Sequence, residues 1–263
     1  MNTRGKVRID ELVCHAEDGV AAYDDFAWFY NRYWSEDFHS LAFPILERIW
    51  LNRLPGRARV LDVCCGTGHL AALLCERGCA ITGLDLSREM IRYARENAPA
   101  AQFEVGDVAR HKIAGSYDAA ISTFDSLNHI LELSDLTAAF GNVASALKPE
   151  GLFAFDMLLE EAYQTHWGES FVLVRDDHVL TISGAGYDFR SRLACCTITM
   201  FRLIGGVWQR SDIIVHERCY SPDEITAALA GAGFGEILCY DARDLGMGGE
   251  LGHGRTFFVA RKL

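Results

Sequence analysis

The chain has 263 residues, half of them hydrophobic, and carries 25 Lys plus Arg against 36 Asp plus Glu, a formal net charge of −11. With no Lys/Arg-rich block, this balance excludes a nucleic-acid backbone or an anionic membrane surface as the main partner, since both need concentrated positive charge, and a small molecule is the expected partner. The nine cysteines, at 14, 64, 65, 75, 79, 195, 196, 219 and 239, show neither a Cys-x-x-Cys pair nor metal-ligand spacing, so we expect reduced thiols, no metal, and a cytoplasmic protein without signal peptide or membrane span.

Residues 21–34 place Tyr23, Phe26, Ala27, Tyr30 and Trp34 at spacings of three and four, which is one face of a helix. Such an aromatic stripe is core packing more often than a substrate box. A second amphipathic stretch, from about Phe38 to Leu51, leads to the turn Leu54-Pro55-Gly56.

Then comes VLDVCCGTGHLAALL, residues 60–74, which reads as strand, loop and helix. Val60, Leu61 and Val63 suit a buried parallel strand, Gly66 and Gly68 let backbone amides approach a ligand, and Leu70, Leu73 and Leu74 give the helix an apolar side. Gly66-x-Gly68-x-x-Ala71, with Asp85 ending the next strand, also satisfies the dinucleotide fingerprint. Asp62 opposes that reading, because its carboxylate points to where a pyrophosphate would lie. A ligand bearing ammonium and sulfonium groups, such as S-adenosylmethionine, tolerates an anion there.

The apolar strand AITGLDL follows, then a helix with Ser87 as N-cap and Glu89 in its first turn. The next strand, around 102–105, ends in Gly106-Asp107-Val108, and another spans about 118–123. A helix over 135–147 is closed by Lys148-Pro149-Glu150-Gly151 before the strand LFAFDM. This order predicts a doubly wound, Rossmann-like α/β sheet. Residues 170–219 read instead as four strands with turns at Asp176-Asp177, near Ser191 and at Gly205-Gly206, an antiparallel subdomain. Ser221-Pro222-Asp223-Glu224 opens a helix that Gly231 and Gly233 end. Two last strands, near 235–242 and 255–261, flank a glycine-rich loop with Met247 and His253 and predict a C-terminal antiparallel hairpin.

Four successive strand ends present Asp62, Asp85, Asp107 and Phe124-Asp125 on the edge where such sheets bind ligands. In this reading Asp85 takes ribose hydroxyls, Asp107 the adenine amine, and the glycine-loop amides with Asp62 the methionine moiety. For each acid alone, a helix N-cap or a solvated loop end is the alternative, with far more weight for Asp107 than for Asp85.

LDVCCGTG resembles motif I of the class I S-adenosylmethionine-dependent methyltransferases, with Cys64 where the first glycine is usual. In order after it, GLDLSREMIRYAREN, FEVGDV, STFDSLNHIL and LKPEGLFAFDM resemble a small-molecule branch with a β-rich substrate lid, which includes antibiotic-sugar and amine N-methyltransferases. The likeness runs over most of the chain from about residue 20. It implies a seven-stranded sheet and three parts: a helical cap at 1–55, a cofactor domain at 56–156 and 221–263, and an inserted antiparallel lid at 157–220. It implies S-adenosylmethionine as cofactor, leaving as S-adenosylhomocysteine, held by Tyr23, Tyr30, Asp62, Cys64, Gly66, Gly68, Asp85, Leu86, Met90, Asp107, Val108, Thr123 and Phe124. His129, Phe124 and Asp125 are the implied catalytic residues, although the branch commonly has tyrosine where this chain has His129.

The expected function is methyl transfer to a small-molecule acceptor by a monomer or homodimer, with nitrogen ahead of oxygen as acceptor. An amine only has to arrive unprotonated, whereas a hydroxyl wants a base, for which His129, His253 and Asp125 are candidates. Two rivals stand beside it, an NAD-linked oxidoreductase and a non-catalytic cofactor-binding module.

Overall fold

The computed structural model describes residues 19–165 and 170–263; residues 1–18 of the expected cap and 166–169 of the expected lid lie outside the described residues. The chain opens with α1 (Gly19–Tyr33), α2 (Ser35–Ile49), β1 (Arg59–Val63), α3 (His69–Glu76), β2 (Ala80–Asp85), α4 (Arg88–Asn97) and β3 (Gln102–Val105). It continues through β4 (Tyr117–Ser122), α5 (Leu133–Ala146), β5 (Leu147–Leu158), α6 (Glu160–Thr165), β6 (Phe171–Val174), β7 (His178–Asp188), β8 (Leu193–Ile204) and β9 (Val207–Arg218). It closes with α7 (Pro222–Gly231), β10 (Phe234–Asp241), α8 (Gly249–Gly252) and β11 (Arg255–Lys262).

A seven-stranded sheet runs β10-β11-β5-β4-β1-β2-β3, and β11 is antiparallel to both of its neighbours. This is the expected Rossmann-like sheet with its terminal hairpin. The central strands β1 and β4 read as apolar runs because both faces are covered. On one face Trp50, Leu46 and Phe38 of the N-terminal helices pack with α3 and α4; on the other, Phe140, Phe153, Phe155 and Tyr220 form a second core.

Strand β5 starts earlier than the sequence predicts. Lys148-Pro149-Glu150-Gly151 reads as a turn, yet Leu147 already pairs with Tyr117, and the register shifts before Ala119 meets Leu152. The irregularity holds Pro149, which has no N–H for the ladder, and Glu150 at φ 65°.

The second sheet is the antiparallel meander β6-β7-β8-β9. Strand β8 alternates from Leu193 to Met200, with Cys196, Ile198 and Met200 turned inward on Phe26 and Phe29 of α1. The helix N-terminal to the fold is thus clamped between the small sheet and α4. Helix α7 begins with a full capping box, Ser221 and Glu224 each bonding the other's backbone.

Candidate active site

The loop after β1 is built by backbone needs that only some residues meet. Cys64, Gly66 and Gly68 all take positive φ, at 57°, 53° and 76°. A Cβ on Gly68 would lie 2.8 Å from Ala94 Cα, so glycine lets α3 and α4 cross closely. Cys64 occupies a left-handed position where glycine is the unstrained residue, which accounts for that residue in the related motif.

Asp85, at the end of β2, accepts the Gly66 N–H at 2.9 Å through one oxygen and the Ser87 N–H at 2.9 Å through the other. It therefore fixes the glycine loop and the start of α4 together, and the carboxylate, which can accept about four hydrogen bonds, keeps acceptor capacity. Burial raises its pKa, opposed by those amides. Asp62 is buried, and its Oδ2 has no hydrogen-bond partner among the described residues. Burial, with the neighbouring Asp85 charge, pushes Asp62 up to about 8. Expected from the sequence to be a fixed anion, Asp62 without a ligand is largely a neutral acid at pH 7.

Helix α1 lies across this loop. The Tyr30 ring stands 3.4 Å from where a Gly66 Cβ would be. Asp24 accepts from the Ser87 hydroxyl at 2.5 Å and the Glu89 N–H at 3.2 Å, while Asn97 donates to both Asn31 and the Thr67 carbonyl. The aromatic stripe is thus core packing against the small sheet and a cover over the strand ends at once.

After β4 the chain makes two consecutive left-handed residues, Phe124 at φ 65° and Asp125 at φ 49°. Asp156 of β5 accepts both of their N–H groups, at 2.7 and 3.0 Å. Arg255 of β11, 3% exposed, bonds Asp156 and reaches Asp125 at 2.6 Å. This clamp presents Phe124 to the site, stacked on Phe38 at 4.2 Å.

Beyond the clamp, His129 donates from Nδ1 to the His216 carbonyl at 3.0 Å, because a carbonyl only accepts. Its Nε2 therefore carries the lone pair, and the Tyr23 hydroxyl donates to it at 3.1 Å. Burial lowers the His129 pKa, which keeps the ring neutral. Glu217 of β9, 3% exposed, lies 3.6 Å from Nε2 through Oε1 and accepts from Tyr163 at 2.8 Å through Oε2. Tyr23, His129 and Glu217 line a cavity of about 310 Å³ with Phe26, Tyr30, Trp34 and Phe124. Ligand atoms of Asp125, His129 and Glu217 all lie within 4.8 Å of one another.

The profile of a family described as "Methyltransferase domain" matches residues 60–151. Over 192 residues the chain is 30% identical to YqeM of Bacillus subtilis (strain 168), a protein assigned to the methyltransferases, and the match covers 70% of this chain and 77% of that one. The chain belongs to the class I S-adenosylmethionine-dependent methyltransferases. It is also 32% identical over 127 residues to the dTDP-3-amino-3,4,6-trideoxy-alpha-D-glucopyranose N,N-dimethyltransferase of Streptomyces venezuelae, covering 48% of this chain and 53% of that enzyme. A crystal structure of an S-adenosylmethionine-dependent methyltransferase from Clostridium acetobutylicum ATCC 824 has the same fold, with TM-score 0.74, 24% identity, and coverage of 91% of this chain and 98% of that one.

Membership removes the NAD-linked rival. Within this methyltransferase, Tyr23, Tyr30, Phe124 and His129 meet around the cavity, and Asp62, Cys64, Gly66, Gly68 and Asp85 meet at the loop. Other residues named from the sequence have different surroundings. Val108 is buried in the core beneath α5, and Met90 is buried on α4. Thr123 bonds His39 at 3.3 Å, and Leu86 is 39% exposed. Asp107 caps its own turn at Ala109 and pairs with Arg110 at 2.8 Å.

The other two base candidates differ in placement. Asp125 lines the cavity but is bonded to Arg255, and His253 sits beside Glu161 at 3.6 Å, outside the cavity. Glu217 is absent from the residues named from the sequence; in the string IVHER only its inward register on an alternating strand hinted at burial.

Proposed function

We propose that this methyltransferase holds its cofactor across the ends of β1 and β2 and methylates the nitrogen of a small amine in the cavity, with β6–β9 as the lid over it. The carrying observation is the cavity itself, walled by aromatic rings and holding a neutral His129 and the buried Glu217 carboxyl, with no Lys or Arg among the described lining residues. The free thiols among the described residues support a cytoplasmic setting. No described helix is long and apolar enough to cross a membrane.

The residues fit S-adenosylmethionine. Buried and unpartnered, Asp62 Oδ2 matches a ligand ammonium, and the acceptor capacity left on Asp85 matches a ribose diol. When bound, the cofactor supplies an activated methyl on a sulfonium centre. The chain's own task is alignment and dryness: Tyr30 and Phe124 offer π faces worth about 0.5–2 kcal/mol to a cation, and α1 with the small sheet excludes water. The partial likeness to a sugar N,N-dimethyltransferase supports nitrogen as the accepting atom.

Asp85→Ala should weaken S-adenosylhomocysteine binding by about ten- to a hundredfold, through loss of roughly 1.5–3 kcal/mol of charged hydrogen bonding. Calorimetry reads it; an unchanged affinity with lowered thermal stability would leave Asp85 as a loop brace alone. Assays pairing amine and alcohol acceptors test the methylated atom. His129→Asn should slow amine methylation less than about tenfold, since a general base contributes about 10²–10⁴-fold only where one is required. A loss of a hundredfold or more on a hydroxyl acceptor would replace nitrogen by oxygen.

A further inference from the structure

We propose that the cavity takes its acceptor as an alkyl or arylalkyl ammonium ion free of phosphate, gripped by the Glu217 carboxylate, with Glu217 receiving the proton the nitrogen must lose. This rests on the N-methylation reading above and names its substrate class.

The cavity lining holds two acids, Asp125 and Glu217, and no Lys or Arg among the described residues. Arg255, behind it, is already bonded to Asp125 and Asp156. Three buried carboxyl groups thus meet one guanidinium, a surplus that a cation satisfies and a pyrophosphate aggravates.

Geometry points the same way. The His129 Nε2 lone pair already takes the Tyr23 hydroxyl, and Tyr163 holds Glu217 through Oε2, so Glu217 Oε1 is the acceptor left for a guest. An alcohol gives it a neutral hydrogen bond, whereas an ammonium gives a charge-assisted one, roughly twice as strong. The walls fit the same guest: Phe26 meets Tyr23, Tyr30 and Trp34 edge to face with centroids 6.2, 6.0 and 5.4 Å apart, an aromatic surround suited to a cation with apolar substituents.

The proton balance closes. One N–H proton passes to Glu217, which frees the nitrogen lone pair. That pair forms the N–C bond as the S–C bond breaks, its electrons staying on sulfur as a neutral thioether. The nitrogen is again cationic, and the Glu217 proton leaves to solvent as product departs. Burial, reinforced by the Asp125 charge, holds the Glu217 carboxyl well above the ordinary carboxylate range, so the handover is less uphill. A divalent ion would suit the same Asp125, His129 and Glu217 atoms, but Asp125 is already engaged by Arg255 and Glu217 by Tyr163.

The test is calorimetry on the full chain with S-adenosylhomocysteine present, using benzylamine, benzyl alcohol, thymidine diphosphate and zinc chloride as probes. Benzylamine should bind at least about tenfold more tightly than benzyl alcohol, and Glu217→Gln, which keeps an oxygen for Tyr163, should weaken benzylamine about ten- to a hundredfold while leaving S-adenosylhomocysteine affinity unchanged. No binding of benzylamine, equal binding of the alcohol, no effect of Glu217→Gln, or displacement of benzylamine by thymidine diphosphate or zinc each overturns the proposal. Mass spectrometry of wild-type turnover separates the two readings. N-methylbenzylamine formed with Glu217→Gln unimpaired keeps N-methylation and removes Glu217; methylation of the alcohol alone removes both.

Discussion

Arg255→Met is expected to lower the free energy of unfolding by about 3–5 kcal/mol, the usual effect of stripping one partner from a buried ionic cluster. In a chain of this size that is a fall of about 6–20 °C in melting temperature. The reason lies in what Arg255 compensates. It bonds Asp125 and Asp156 at once, and Asp156 in turn holds the N–H groups of the two left-handed residues Phe124 and Asp125. Methionine fills much of the volume beside Phe38, over which the guanidinium lies at 4.9 Å, so loss of packing is a minor part. Adding Asp125→Asn to Arg255→Met should recover part of the loss by removing one stranded charge. Urea unfolding of the three proteins measures this; a loss below about 1 kcal/mol for Arg255→Met would show that the carboxyls do not depend on the arginine.

That clamp also marks the limit of what the sequence discloses. The parallel strands, the four-strand meander, the capping box at Ser221 and the terminal hairpin are written in local signals: apolar runs, alternation, turn residues and cap spacing. Arg255 bonds partners 99 and 130 residues away, and nothing near it in the chain predicts a buried cation. Asp125 looks like a free acid because its partner comes from β11. Glu217 looks like an ordinary strand residue, and only the docking of β9 on the turn carrying His129 brings it to the cavity. The position of Asp85 is legible because it is topological, at the end of the second parallel strand. The charge state of Asp62 is not, because it depends on how completely the surrounding fold removes water.

The affinity for S-adenosylhomocysteine is expected to rise with pH between 6 and 8, by up to about tenfold per unit, and to level off above that. Asp62 is the cause. In the ligand-free protein its carboxyl stands at about 8, raised by burial and then by Asp85, so at pH 7 it is mostly protonated. A ligand ammonium beside Oδ2 favours the carboxylate, so binding must expel a proton, and expelling it becomes easier as pH rises. Calorimetry in buffers of different ionisation enthalpy should therefore show a proton released at pH 7. Asp62→Asn keeps the shape and removes the titration, so its affinity should be flat across this range and about ten- to a hundredfold weaker than wild type at pH 8. Asp85, also raised by burial, still titrates in that variant, so any slope left belongs to it. The same group acts on folding with the opposite consequence. Its folded pKa lies above the unfolded 3.8, so the stability it contributes is complete below that value and lost as pH rises to about 8. Asp62→Asn should hence flatten the decline in stability of the ligand-free protein over that window while impairing binding, and a variant that lost affinity without changing either pH slope would show that Asp62 acts by shape and not by charge.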